Sequence, residues 1–239
     1  VSCGKSFEAT IIEVRGEAVV NEECSRCRPR GPLFEQPGVG ARPPLSREAL
    51  WSALETLGVN VRRHGHVQLH ELQHAEARAR LEAFATEVVQ AGRWAETRSL
   101  YLWGPTGTGK SQAAVAAIRA LIVAGMPPRR MVYDRGRALV TQLQDRYTTG
   151  HVDEFSEARR TALLWVYEDA GTEKLTPDSF RVLEDILDRR EGCPTIITTN
   201  LSREDFSQRW SVVTGWERLR SRLGPYVAVE FKGMDRRLG

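Results

Sequence analysis

The sequence predicts an α/β fold, a mostly parallel sheet flanked by helices, with a small ribbon-like module in front of it. Three observations predict it. An apolar strand at 99–103 runs straight into a glycine-rich loop and then a helix-forming stretch. Two further apolar runs, 161–167 and 194–200, each end in polar residues, and strands alternating with helical stretches imply a parallel sheet covered on both faces. Three of the four cysteines lie in the first 27 residues. Composition sets the outer bounds: 239 residues, 34 Lys+Arg against 31 Asp+Glu and 41% hydrophobic residues exclude a disordered tail, a collagen-like repeat and a disulfide-rich mini-protein. No run of about 18 apolar residues is present, so no membrane partner is expected, and the start does not resemble a secretory signal. The chain begins at Val1 rather than Met, and its start is expected to lie upstream.

Residues 1–27 read as a zinc-ribbon-like module. Cys24-Ser25-Arg26-Cys27 is a C-x2-C knuckle, a spacing that lets two thiolates meet one tetrahedral ion. Cys3 precedes Gly4-Lys5 as the second cysteine of a knuckle does, and its partner is expected just before Val1. Between the knuckles, Glu8–Val14 and Glu17–Asn21 read as strands around an Arg15-Gly16 turn. A module this small buries too little apolar area to fold alone, so Zn²⁺ held by Cys3, Cys24 and Cys27 is the expectation. The competing reading is three unpaired thiols. His66, His70 and His74 recur at i, i+4 and are read as histidines on one helix surface; Cys193, beside Pro194, is read as a small buried residue.

Residues 28–47, dense in proline and glycine, form a linker. The third region, 48–239, opens with a helical extension. One helix is N-capped at Ser46 and ends near Gly58; a longer one runs from about Leu69 to Gln90 and is stopped by Gly92.

The chemistry starts at Ser99–Trp103. That strand leads into Gly104-Pro105-Thr106-Gly107-Thr108-Gly109-Lys110-Ser111, which fits G-x4-G-K-[ST], and Gln112–Val123 reads as the following helix. Glycines let backbone N–H groups wrap phosphates, and the helix N-terminus favours their charge. Gly104 through Gln112 is therefore the expected ATP cradle, with Lys110 on the β- and γ-phosphates and Ser111 on Mg²⁺. The strand 161–167 ends at Glu168-Asp169-Ala170-Gly171. An acidic residue at such a strand end can hold Mg²⁺ while its neighbour orients water, which assigns Glu168 to the metal and Asp169 to water. A solvated acidic pair is the alternative. Strand 194–200 ends at Thr199 and Asn200; Asn200 is the preferred γ-phosphate contact because its amide both donates and accepts, and a turn-forming Asn is the alternative.

Arginines close the sequence: Arg218, Arg220 and Arg222 in a basic helix end, then Arg236 and Arg237 after a strand at Tyr226–Phe231. Over 129–146, Arg129, Arg130, Arg135, Arg137 and Arg146 outnumber Asp134 and Asp145, with Tyr133 and Tyr147 nearby. Such a composition suits a single-stranded DNA groove with stacking positions, and equally a solvated helix face.

The ordered set GPTGTGKS, LLWVYEDAGTEKLT, PTIITTN and RLRSRL resembles the AAA+ ATPases of the bacterial and phage helicase-loader group (DnaC-type), relatives of the helper ATPases of IS21-type transposons. The resemblance covers about residues 95–238. It implies a cytoplasmic ATPase that self-assembles through its AAA+ modules, binds single-stranded DNA and acts on a hexameric replicative helicase. It implies Walker roles for Lys110, Ser111, Glu168 and Asp169, a sensor role for Asn200, a trans-acting arginine finger at Arg222 and a cis nucleotide sensor at Arg237, less favourably Arg236. The chain departs from the pattern at Glu168, where Asp is usual; an extra methylene alters reach to the metal and implies slow hydrolysis. The rival readings are a transposition helper on duplex DNA and a nucleotide-responsive adaptor with little turnover.

Overall fold

The computed structural model describes residues 10–14, 17–21, 45–91, 99–173, 176–210, 216–233 and 235. Cys3, Cys24 and Cys27, most of the linker, Gly92, Arg236 and Arg237 lie outside them. The chain divides into two units, 1–41 and 42–239. In the first, β1 (Thr10–Val14) pairs antiparallel with β2 (Glu17–Asn21), Thr10 opposite Asn21 and Val14 opposite Glu17.

The second unit opens with α1 (Arg47–Thr56), where the Ser46 hydroxyl accepts the Ala49 N–H at 3.1 Å, and α2 (Val61–His64), where Asn60 Oδ1 accepts the Arg63 N–H at 3.2 Å. The long helix expected from Leu69 begins later, as α3 (Ala75–Ala91). Two local bonds cause the shift. The Gln68 N–H donates to Glu71 Oε2 at 2.8 Å, closing a separate 3-10 turn over Leu69–Glu71, and His74 Nδ1 accepts the Ala77 N–H at 3.1 Å, starting the helix there. His66, His70 and His74 therefore do not share one helix face. His74 also stacks on Phe231, ring centroids 4.8 Å apart.

The remaining elements alternate: β3 (Leu100–Trp103), α4 (Lys110–Val123), β4 (Met131–Arg135), α5 (Gly136–Thr149), α6 (Val152–Thr161), β5 (Leu164–Ala170), α7 (Pro177–Arg189), β6 (Thr195–Thr199), α8 (Arg203–Trp210), α9 (Trp216–Leu223) and β7 (Val227–Glu230). Thr161, expected at the head of a strand, instead closes α6, its hydroxyl donating to the Glu157 carbonyl at 2.7 Å. The five strands form one parallel sheet in the order β4-β5-β6-β3-β7.

Strand alternation sends side chains to two cores. Leu100, Leu102, Leu164, Val166 and Ile196 pack with α1, α3 and α4, whereas Tyr101, Trp165, Tyr167 and Ile197 pack with α5, α7 and α9. Cys193 is buried, as expected. Among the described residues no helix is long and apolar enough to cross a membrane.

Two buried arginines lock the strand order. Arg190, 1% exposed, donates to Thr195 Oγ1 at 3.0 Å and to the carbonyls of Arg159 (2.7 Å), Ala162 (2.9 Å) and Pro194, tying the end of α6 to the entries of β5 and β6. Arg159 grips Asp134 through both carboxylate oxygens, at 2.9 and 2.7 Å, and Asp134 also accepts the Trp165 Nε1–H at 2.8 Å. Arg190→Met strips several buried carbonyls of their donor and is expected to lower stability by about 3 kcal/mol or more, read from urea unfolding.

Burial also pushes the phenols of Tyr101, Tyr167 and Tyr226 above their ordinary value of 10.0. The folded chain holds those protons more tightly than the unfolded chain. Their contribution is therefore complete below about pH 10 and is lost as pH rises beyond it. Thermal melts between about pH 8 and about pH 11 check the expected alkaline loss.

Candidate active site at the carboxyl edge of the sheet

In a parallel sheet the strands' carboxyl ends open along one edge, where ligands bind. Here the register pairs Trp103 with Thr199, and Thr199 with Ala170. Those pairings set Gly104, Asn200 and Gly171 side by side as the chain leaves β3, β6 and β5. Three of the sequence-predicted segments thus meet at one edge.

The loop Gly104–Gly109 delivers the chain into α4. Gly109 precedes the helix at φ 102°, and no side chain caps the helix start. Its first N–H groups are the donors that an anion satisfies. Gly104 adopts φ 138°, and a methyl group there would fall 2.2 Å from the Phe231 carbonyl oxygen, so this turn admits glycine alone. Lys110 is buried, its Nζ donating to the Gly104 carbonyl at 2.7 Å and the Pro105 carbonyl at 2.6 Å. Thr108 donates to the Pro105 carbonyl at 2.8 Å, bracing the same turn.

Glu168 is buried at the end of β5, on the face that Val166 shares with α4. Its Oε2 accepts the Tyr133 hydroxyl at 2.5 Å and Arg135 Nε at 3.0 Å. Arg135 lies directly opposite Glu168 in the β4–β5 register, with Tyr133 two residues before it on the same face. Burial, then the adjacent carboxylate, pushes the Tyr133 phenol well above its ordinary value, so it stays a donor. Burial opposes the charge on Arg135, but Tyr133 and Glu168 outweigh it and the net shift is upward. Tyr133 is therefore not the base-stacking position that the sequence suggested. Arg129, Arg130, Arg137 and Arg146 remain exposed, while Asp134 is turned inward to Arg159.

Asp169 follows at φ 52°, a left-handed conformation that Asp tolerates better than most residues. Its N–H donates to Thr198 Oγ1 at 3.1 Å, and its carbonyl accepts the Thr172 hydroxyl at 2.8 Å. At this irregularity in the β5–β6 register the Asp169 side chain is exposed. Next to it Glu173, buried, accepts the Tyr167 hydroxyl at 2.5 Å and the Gly171 N–H at 3.1 Å, which shapes the turn. Thr199 is buried and donates to the Ala170 carbonyl at 2.6 Å, leaving exposed Asn200 as the polar group at that strand end.

Arg222 stands elsewhere. It pairs with Asp188 and, at 2.6 Å, with Glu191, both at the carboxyl end of α7, where the chain turns to enter β6. That is the edge opposite the glycine-rich loop. Among the described residues no group of three or more His, Cys, Asp or Glu is placed to hold a metal ion. The parts that sequence reasoning missed are Tyr133 and Arg135 as partners of Glu168, and Thr198 and Glu173 as supports of the turn. Only strand register brings the first two to Glu168.

The family profile of the IstB-like ATP binding proteins matches residues 66–221. Among solved structures, the DnaC helicase loader superposes with a TM-score of 0.58 at 20% identity, covering 72% of this chain and 99% of that one. DnaI superposes at 0.56 and 21% identity, covering 73% and 93%. The replication initiator DnaA bound to AMPPCP and single-stranded DNA gives 0.57 at 16% identity, covering 70% of this chain and 50% of that one. A comparison with curated proteins gave no match.

Tyr133→Phe removes a buried donor from Glu168 and is expected to cost about 1–2 kcal/mol. A double-mutant cycle with Glu168→Gln in urea unfolding should return most of that loss as coupling.

Proposed function

Because the chain belongs to the IstB-like ATP-binding protein family, we propose that it is an ATP-dependent helicase loader, which assembles on single-stranded DNA and delivers a hexameric replicative helicase. In this reading it is a cytoplasmic protein, bacterial or phage-encoded. The observation that carries it is the division of the charged and polar groups between two edges of one sheet. Lys110, Glu168, Asp169 and Asn200 lie along the carboxyl edge, and Arg222 lies at the other. A guanidinium so far from its own loop can serve a phosphate only in an adjacent copy, as an assembling ATPase requires. The likeness to the DnaC helicase loader supports the choice of partner.

The roles follow from the chemistry of each group. Backbone N–H groups of Gly104 to Gln112 and the start of α4 hold the phosphates, and Lys110 exchanges its loop carbonyls for phosphate oxygens. Ser111 and Glu168 offer hard oxygen donors on the α4 face, a set that suits Mg²⁺, which would neutralise phosphate charge when bound. Asp169 orients water, Asn200 contacts the γ-phosphate, and Arg222 of one copy stabilises the charge that develops in the next. Arg237 senses the nucleotide in its own chain. Cys3, Cys24 and Cys27 supply thiolates, a donor set that suits Zn²⁺, and the ribbon they would build is the proposed grip on the helicase.

A second reading, a transposition helper on duplex DNA, is favoured by the family match itself. A third, an adaptor with little turnover, is favoured by the tie of Glu168 to Tyr133 and Arg135.

Copurification with a replicative helicase under a non-hydrolysable ATP analogue is the expected result, and absence of any complex overturns the loader reading. Tighter ATP-dependent binding to duplex than to single strand favours the transposition helper. Arg222→Ala should keep nucleotide affinity yet lose DNA-stimulated turnover by about 10³-fold or more. Wild-type turnover that does not respond to DNA favours the adaptor.

A further inference from the structure

We propose that the Asp235 carboxylate is an internal competitor for nucleotide phosphates, so that a nucleotide entering the loop must displace it. The inference rests on the reading of Gly104–Ser111 as a phosphate cradle. The chain leaving β7 does not turn away from the sheet. The Phe231 N–H donates to the Trp103 carbonyl at 2.7 Å, and the Phe231 carbonyl lies against Gly104. Four residues on, Asp235 reaches Gly107, the middle glycine of the loop. A methyl group on Gly107 would fall 1.7 Å from Asp235 Oδ1, 2.1 Å from its Cγ and 2.8 Å from Oδ2. The whole carboxylate therefore rests on the one position of the loop apex that has no side chain, and Gly107 holds φ 78° there.

The loop's N–H groups and the start of α4 present positive potential to any anion. A carboxylate already against Gly107 feels that potential. It also repels a polyphosphate that brings two or more further negative charges to the same place. At separations of about 5–6 Å in a water-like medium, such repulsion amounts to about tenfold in affinity and is screened by salt. Nucleotide occupancy and the position of Asp235 are then linked: each weakens the other by the same factor.

The test uses the full chain and measures dissociation constants for ATP and ADP, with magnesium and with EDTA, at about 0.05 M and about 0.5 M salt. Wild type is compared with Asp235→Asn, Asp235→Ser and Lys110→Ala. Both neutral variants are expected to bind ATP about three- to tenfold tighter at low salt, with the gap closing at high salt. Two variants of different size guard against one failing to fold. Unchanged or weaker binding by both, while Lys110→Ala loses affinity, overturns the inference and leaves the cradle standing. Weakening seen only with magnesium also overturns it, because Asp235 would then serve the ion. No nucleotide binding by wild type at all overturns the cradle reading itself.

Discussion

The site depends on β6 lying between β3 and β5, since that order sets Asn200 between the glycine-rich loop and the acidic turn. Arg190 sits at the entries of β5 and β6. Its guanidinium, almost free of water, bonds Thr195 at the start of β6, the Pro194 carbonyl before it, and the Arg159 and Ala162 carbonyls that lead to β5. Arg fits because its planar fork serves several carbonyls at fixed angles, which a Lys ammonium does not. Arg159 extends the lock to β4 through Asp134, and Trp165 closes it with its indole N–H. Polar groups so deeply buried are stabilising only when all are matched, which makes the arrangement specific to one strand order.

A second pattern runs through the groups proposed for chemistry at both edges: each is already matched inside the chain. Lys110 is bonded to its own loop, Glu168 to Tyr133 and Arg135, and Arg222 to Asp188 and Glu191. None is a bare charge awaiting a ligand. Burial requires this of Lys110 and Glu168, because an unmatched buried charge costs several kcal/mol by order of magnitude, whereas the Arg222 pairs lie in solvent.

Much of the architecture was legible in the sequence because it is local. The strand, loop and helix at 99–123 follow from apolar runs and glycine spacing, and the sheet class follows from their alternation. What stayed hidden was non-local or hinged on single hydrogen bonds. The start of α3 is not legible in the sequence because a His74 ring nitrogen acts as the cap, a role in which Ser or Asp is expected. Tyr133 and Arg135 read as members of a basic, aromatic stretch; only the register that sets Arg135 opposite Glu168 brings the buried Tyr133 and the half-exposed Arg135 to that carboxylate. Asp235 sits 128 residues from Gly107 in sequence, and no periodicity connects them.

The Glu at position 168 belongs to the same argument. Its added methylene, relative to Asp, gives the carboxylate reach, and in this structure that reach is spent sideways, toward β4 and away from β6 and the loop. Both of those bonds, worth about 1.5–3 kcal/mol each when a charge is involved, fall on Oε2, which leaves Oε1 as the oxygen an ion at the loop would use. In the proposed assembly Lys110 exchanges neutral carbonyls for phosphate oxygens, and Arg222 exchanges two carboxylates for a neighbour's phosphate. Net gain is then a difference between similar terms. In the proposed reading nucleotide enters through Lys110, and Arg222 meets a phosphate only in an adjacent copy.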